Sequence, residues 1–234
     1  ITGVSRIYKT HTYKVDSEGV LNMCEVEKIA QRVKPNVIVC GASAYSSVID
    51  FESFGRIAQR VGAKLIADIS HISAFVATGL HPSPFSVPNM DIVVTTTHKT
   101  LRGPRGALLF HRTGYENAVN TAVFPGMQGG PHLHTIAAIA TTLHEVATSE
   151  DYRKYTFQCI FNSIAMVKQF KSRGVKIVSG ESCNHIILID LKPSGVSANV
   201  LAEKLEREHS IITNINCVPG DTSALKPNGI RIGT

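Results

Sequence analysis

Several function classes are ruled out by what the chain lacks. It has 24 Lys and Arg residues against 18 Asp and Glu, for a net charge of +6. Those basic residues are scattered over the whole length, with no Lys/Arg run and no interleaved aromatics of the nucleic-acid type. The excess reads instead as a solvated surface plus a few cations at an anion site. No apolar run approaches transmembrane length and no secretory signal is present, so no membrane role is expected. The five cysteines, Cys24, Cys40, Cys159, Cys183 and Cys217, show neither CxxC spacing nor even pairing, and Cys40 lies inside an apolar run. They are expected to be reduced, mostly structural thiols of an intracellular protein. Internal repeats and low-complexity segments are also missing. What is present is 43% hydrophobic residues over 234 positions, enough for a real core in one large domain or two small ones.

Element patterns along the chain predict an α/β fold. Ile1 to Val20 reads as an extended segment closed by a turn at Ser17-Glu18-Gly19. Asn22 with Glu25 three residues on resembles a capping box that opens a helix over Met23 to Val33. Val37 to Cys40 reads as a buried strand, Gly41 to Ser47 as a loop, and Phe51 to Val61 as a one-faced helix stopped by Gly62. Lys64 to Ala67 is the next strand, ending in Asp68. Strand, loop, helix, strand at this spacing is a βαβ unit, which implies a parallel sheet with helices outside and ligands beyond the carboxyl ends of its strands. Ser43, Asp68 and Lys99 all follow expected strands and are expected to face one crevice. After an ambiguous Tyr115 to Val123, Phe124 to Pro131 reads as a loop. Helices follow at Leu133 to Ala147 and, capped by Ser149, Asp151 to Arg173. From there an α+β run of strands at Lys176–Val178, His185–Leu191, Ile211–Ile215 and Ile230–Ile232, with a helix at Ala198–Glu208, predicts a second, smaller domain. The division is placed at 1–148 and 149–234. The chain starts without a methionine and ends as though in mid-element, as expected of an internal piece of a longer protein.

The stretch Asp91 to Phe110, DIVVTTTHKTLRGPRGALLF, carries the densest chemistry. Ile92 to Val94 is strand-forming, the Gly-Pro cluster forces a turn, and Lys99 falls just past the strand end. A partly desolvated lysine has a lowered pKa, and its neutral amine attacks carbonyls to give a Schiff base. A solvated loop lysine fits the same spacing, but surrounding hydroxyls, a His and an Arg favour an anionic, ring-bearing ligand. Asp68 ends an apolar strand, where a buried carboxylate needs a cation. Its alternative is a cap or a loop hydrogen bond. Arg105, in GPRG, is expected to be a buried guanidinium that must find an anion. Gly126, Gly129 and Gly130 in PGMQGGP fit a loop whose bare N–H groups approach a phosphate. His132, His134 and His144 lack a well-placed third zinc ligand and read as interface or loop histidines, so no metal is expected. Arg231, between Ile230 and Ile232, suits a carboxylate through its fork, a surface strand Arg being the alternative.

VTTTHKTLRGPRG resembles the lysine segment of serine hydroxymethyltransferase, a fold-type I enzyme that uses pyridoxal 5′-phosphate. Val94 stands where that family usually has the first of four threonines. The resemblance continues through SAYS around Ser43, through DISHISAF from Asp68, through GMQGGP, and through GIRIGT around Arg231. In DISHISAF, Ser70 replaces Ala, and Ala74-Phe75 replace Gly-Leu, changes expected at the ring-facing pocket. In GMQGGP, Met127 replaces a commoner small residue. The resemblance implies a fold-type I large domain with part of a smaller domain, and transfer of the serine hydroxymethyl group to tetrahydrofolate. It implies that Lys99 holds the cofactor and that Asp68 keeps its ring nitrogen protonated. It matches His71 to a His contacting cofactor and substrate, and Ser43 to a donor for the phenolic oxygen. Thr96 and His98 match residues lining the cofactor and its phosphate side, with Thr96 counted among the catalytic residues beside Lys99 and His71, and Arg105 matches one that braces the loop and the active site and binds substrate. It matches Arg231 to the substrate-carboxylate Arg. It matches Gly129 and Gly130 to a loop reaching the phosphate of a neighbouring subunit, hence a homodimer or tetramer. A weak match places Ser223 to Leu225 near the folate ring. A cytoplasmic location is expected, with mitochondria as the alternative. Competing readings are a truncated, non-catalytic module for binding or oligomerisation, and another pyridoxal enzyme such as a threonine aldolase or an aminotransferase.

Overall fold

Three short apolar strands, each followed by a turn or a helix, line up in parallel. A computed structural model describes residues 3–234. In it β1 (Val37–Gly41), β2 (Lys64–Asp68) and β3 (Ile92–Thr96) pair in parallel, and β4 (Ala107–His111) adds an antiparallel edge to β3. The βαβ expectation holds, with α3 (Phe51–Val61) as the crossover helix. Phe51, Phe54, Ile57 and Ala58 of α3 are buried with Leu65 and Ala67 of β2. At its ends, Asp50 accepts Ser53 N–H at 2.9 Å, and Gly62 closes the helix at φ +72°, a backbone shape that glycine adopts without strain. β1 is not the buried strand expected over Val37 to Cys40: its residues alternate, and Val37 and Val39 are exposed.

The N-terminal stretch departs from expectation. Ile1 and Thr2 lie outside the described residues, and Val4–Ile7 forms a single helical turn, α1, where an extended segment was predicted. The turn before Val20 is as expected: Asp16 Oδ1 accepts the N–H groups of Glu18 and Val20. The capping box of α2 (Met23–Val33) is half formed. Asn22 Oδ1 accepts Cys24 N–H and Glu25 N–H at 3.0 and 3.3 Å, while Glu25 pairs outward with Lys28 at 2.6 Å.

Between β2 and β3 lies α4 (Ser73–Ala77), and after β4 come α5 (Glu116–Thr121) and a wide helical turn over Ala122–Met127. That turn occupies the start of the expected loop. Next are α6 (Leu133–Thr148) and α7 (Glu150–Ser172), the latter capped by Ser149 Oγ accepting Tyr152 N–H at 3.2 Å. A second, antiparallel sheet has the order β5 (Lys176–Ile177), β6 (Ile186–Asp190), β8 (Gly229–Gly233), β7 (Asn214–Asn216). β7 starts three residues later than the expected strand at Ile211. α8 (Ala198–His209) packs with this sheet, and every residue of β6 is buried. α7 serves both halves. Tyr155, Cys159 and Ile160 join the first core, whereas Val167, Met166 and Phe170 join the second. No helix among the described residues is long and apolar enough to cross a membrane.

Candidate functional site

The turn that carries Lys99 is fixed from every side. Thr97 N–H donates to Gly106 O at 3.0 Å, Gly103 N–H to Thr97 O at 2.8 Å, and Thr97 Oγ1 to Pro104 O at 2.7 Å. The turn tolerates no side chain at Gly103, where an added Cβ would lie 2.9 Å from Thr97 O. Tyr152 and Tyr155 of α7 both donate to the carbonyl of Thr100, at 3.1 and 3.2 Å. Lys99 itself is half-buried, and among the described residues no carboxylate lies within ion-pair distance of its ammonium group.

Three elements converge on that turn. His71, just past β2, is half-buried. Burial, then the charges of Lys99 and Arg231, push it down to about 4, against a weaker opposing pull from Asp68. Arg231 reaches across from β8, donating from Nη1 to Ser43 O at 2.6 Å. The β1–α3 loop is clamped to the second sheet by further bonds, from Cys183 N–H to Ser46 O at 2.7 Å and from Asn184 Nδ2 to Tyr45 O at 3.0 Å. Ser43 thus meets Arg231 through its backbone carbonyl. Gly41, at φ +142°, lets β1 close on β2, and a Cβ there would lie 2.3 Å from Asp68 O.

Two expectations are corrected. Asp68 is exposed, not a buried carboxylate with a cation. The strand end opens to solvent, and Oδ1 is satisfied by Ser70 N–H at 3.0 Å and Ser70 Oγ at 2.5 Å. Ser70 Oγ in turn accepts Thr96 N–H at 3.0 Å, which ties β2 to β3. Arg105 is likewise exposed, so its charge remains solvated. Gly129 and Gly130 are exposed, and an added Cβ would meet nothing within 4 Å. Cys40 and Cys159 are buried free thiols, and burial raises Cys40 to about 12, while Cys24 and Cys217 are exposed.

His185, directly before β6, was not picked out from the sequence. Its ring stacks on His71 with centroids 5.7 Å apart and planes 13° apart, and it meets Phe75 at 5.8 Å. Burial first, then His71, Arg231 and Lys99, push it down to about 4. Its one sequence signal is a histidine set directly against a fully buried strand. Both rings are neutral at pH 7, each with one donor and one acceptor nitrogen.

Four buried polar atoms around Lys99 have no protein partner: His71 Nδ1, Thr96 Oγ1, His98 Nδ1 and His185 Nδ1. Buried polar atoms are almost always satisfied, so this cluster fits a polar ligand held beside an accessible amine. Among the described residues no three His, Cys, Asp or Glu side chains gather as a metal cluster would require.

A family model described as serine hydroxymethyltransferase matches residues 1–234. Among similar curated proteins, a serine hydroxymethyltransferase of Caenorhabditis elegans is 42% identical, over 100% of this chain and 48% of that protein. A cytosolic one from Aspergillus fumigatus is 43% identical, over 100% of this chain and 52% of that protein. A mitochondrial one from Eremothecium gossypii is 41% identical, over 100% of this chain and 49% of that protein. The chain spans about half the length of the curated relatives it matches.

Proposed function

Because the chain belongs to the serine hydroxymethyltransferase family, we propose that it carries the lysine-bearing part of a pyridoxal 5′-phosphate-dependent hydroxymethyltransferase. The reaction is reversible transfer of the serine hydroxymethyl group to tetrahydrofolate, giving glycine and 5,10-methylenetetrahydrofolate. It would serve one-carbon metabolism and amino-acid biosynthesis, in the cytoplasm or in mitochondria. The observation that supports this reading best is the convergence of Lys99, His71 and Arg231 on a cluster of unsatisfied buried polar atoms. No observation favours a non-catalytic module, a threonine aldolase or an aminotransferase.

When bound, pyridoxal phosphate supplies an aldehyde for attachment and a ring that draws electron density from a breaking bond at the serine α-carbon. Lys99 is the covalent anchor, its turn held by Tyr152 and Tyr155. Asp68, open to solvent with one oxygen bound by Ser70, offers its other oxygen to the ring nitrogen. His71 faces the ring as a neutral imidazole, Ser43 serves the phenolic oxygen, and Thr96 and His98 supply partners on the phosphate side. Arg231 keeps one N–H on Ser43 O and has further donors for the serine carboxylate. Arg105 braces the loop. Gly129 and Gly130, unobstructed and exposed, reach the phosphate of a second subunit in a homodimer or tetramer. The division into residues 1–148 and 149–234 belongs to the same proposal.

Absorption spectra with added pyridoxal phosphate test the reading, taken beside a Lys99→Ala variant. The expected result is a visible band in the parent that the variant lacks, and conversion of serine with tetrahydrofolate by the parent alone. A band of equal strength in both proteins overturns the assignment of Lys99.

A further inference from the structure

His185 belongs to none of the motifs around Lys99, yet its ring lies against a wall of the site. The His71 ring is nearly parallel to it, and the Phe75 ring, fully buried, meets it at 32°. Its backbone is pinned on both sides. Thr234 N–H donates to His185 O at 3.0 Å. Asn184, fully buried, accepts Ile186 N–H at 2.8 Å and donates to Tyr45 O at 3.0 Å. A ring on so fixed a backbone is a platform, and parallel rings at this spacing attract and limit one another's tilt. The His71 Nδ1 has no protein partner to orient its ring, so stacking is the contact left to do it.

We propose that His185 is a positioning residue: seated against Phe75, its ring holds the plane of the His71 imidazole and couples the second sheet to the site. The proposal rests on the hydroxymethyltransferase reading for the role of His71. The charged groups facing the pair are Lys99 after β3, Arg231 in β8 and Asp68 at the end of β2. Two cations against one carboxylate favour neutral rings, which stack without repulsion.

The test compares His185→Ala with His185→Phe. First, NMR of histidine-labelled protein without cofactor follows the titration of His71. In His185→Ala the covering ring is gone, water reaches His71, and its titration moves upward by about one pH unit. His185→Phe keeps the stack and the low titration. Second, the pyridoxal phosphate-loaded protein is assayed. A ring free to tilt misplaces its reacting atoms, so kcat for serine falls about ten-fold or more in the Ala variant, and KM changes little. The circular dichroism of the bound cofactor weakens with it, and the Phe variant restores both. An unshifted His71 titration in His185→Ala overturns the proposal, and so does a Phe variant as impaired as the Ala variant in both measurements. The titration needs no cofactor, so a failure of the parent protein to take up pyridoxal phosphate overturns the functional reading alone.

Discussion

At the scale of single residues, Ser70 carries more than its size suggests. It stands where the resembled motif has alanine, and its hydroxyl joins Asp68 Oδ1 to the N–H of Thr96. Ser70→Ala leaves that N–H without its partner and removes one of the two donors to Asp68 Oδ1. The expected cost is about 1–2 kcal/mol of stability, read as a lower urea midpoint with unchanged slope. Lower cofactor affinity is expected to accompany it. The histidine pair gives a second expectation. Both rings titrate near 4 when folded, against 6.5 for an ordinary histidine. Between those values the unfolded chain binds more protons than the folded one, so stability falls as pH drops from about 6.5 to about 4 and then levels with respect to this pair. Thermal midpoints across that range test it, and His185→Phe should flatten the slope. Motifs mark Lys99, His71 and Arg231 as candidates, and the structure brings the three together. His185 carries no such mark, because its role comes from a stack between distant segments that no local spacing encodes. The burial expected of Asp68 and Arg105 fails for a related reason. Burial at a strand end or turn depends on what lies over it, and sequence around the residue does not say.

At the scale of elements, α7 decides how firmly the lysine turn is held. Its first half reaches Thr100 through two tyrosines and its second half belongs to the other core. The double change Tyr152→Phe with Tyr155→Phe keeps the apolar packing and removes both donors from one carbonyl. A loss of about 1–3 kcal/mol is expected from the unsatisfied buried acceptor, checked by denaturant unfolding. Faster hydrogen exchange is expected through Thr97 to Gly103, with little change in α8. Helices and parallel strands were readable at this scale because their periods differ and glycines end them. Gly62 does so at φ +72° and Gly174 at φ +76°. α1 was missed because one turn of helix has too few residues to show a period. The late start of β7 follows from pairing, since its three residues are those opposite Arg231, Ile230 and Gly229 of β8.

At the scale of the whole molecule, the segment from α5 through α6 asks for a partner. α6 reads LHTIAAIATTLHEVAT, yet none of its residues is buried. Met127 is 85% exposed, Leu133 72% and Ile136 50%. A helix this apolar exposes a continuous patch, and such patches mark interfaces. Gly129 and Gly130 stand in the same exposed segment, and under the proposed function they serve a second subunit. Charge placed in the patch separates the two roles. Leu133→Glu with Ile136→Glu alters side chains that are solvated in the single chain, so the folded chain itself should keep its circular dichroism. In an interface the same carboxylates are desolvated without partners, at a cost of several kcal/mol. Light scattering is therefore expected to show a dimer or larger assembly in the parent protein and a monomer in the variant. Under the proposed function, in which Gly129 and Gly130 serve the phosphate of a second subunit, pyridoxal phosphate should bind the monomer more weakly. An assembly that survives both glutamates would remove α6 from the interface, and a monomer that binds the cofactor as tightly as the parent would remove Gly129 and Gly130 from the phosphate site.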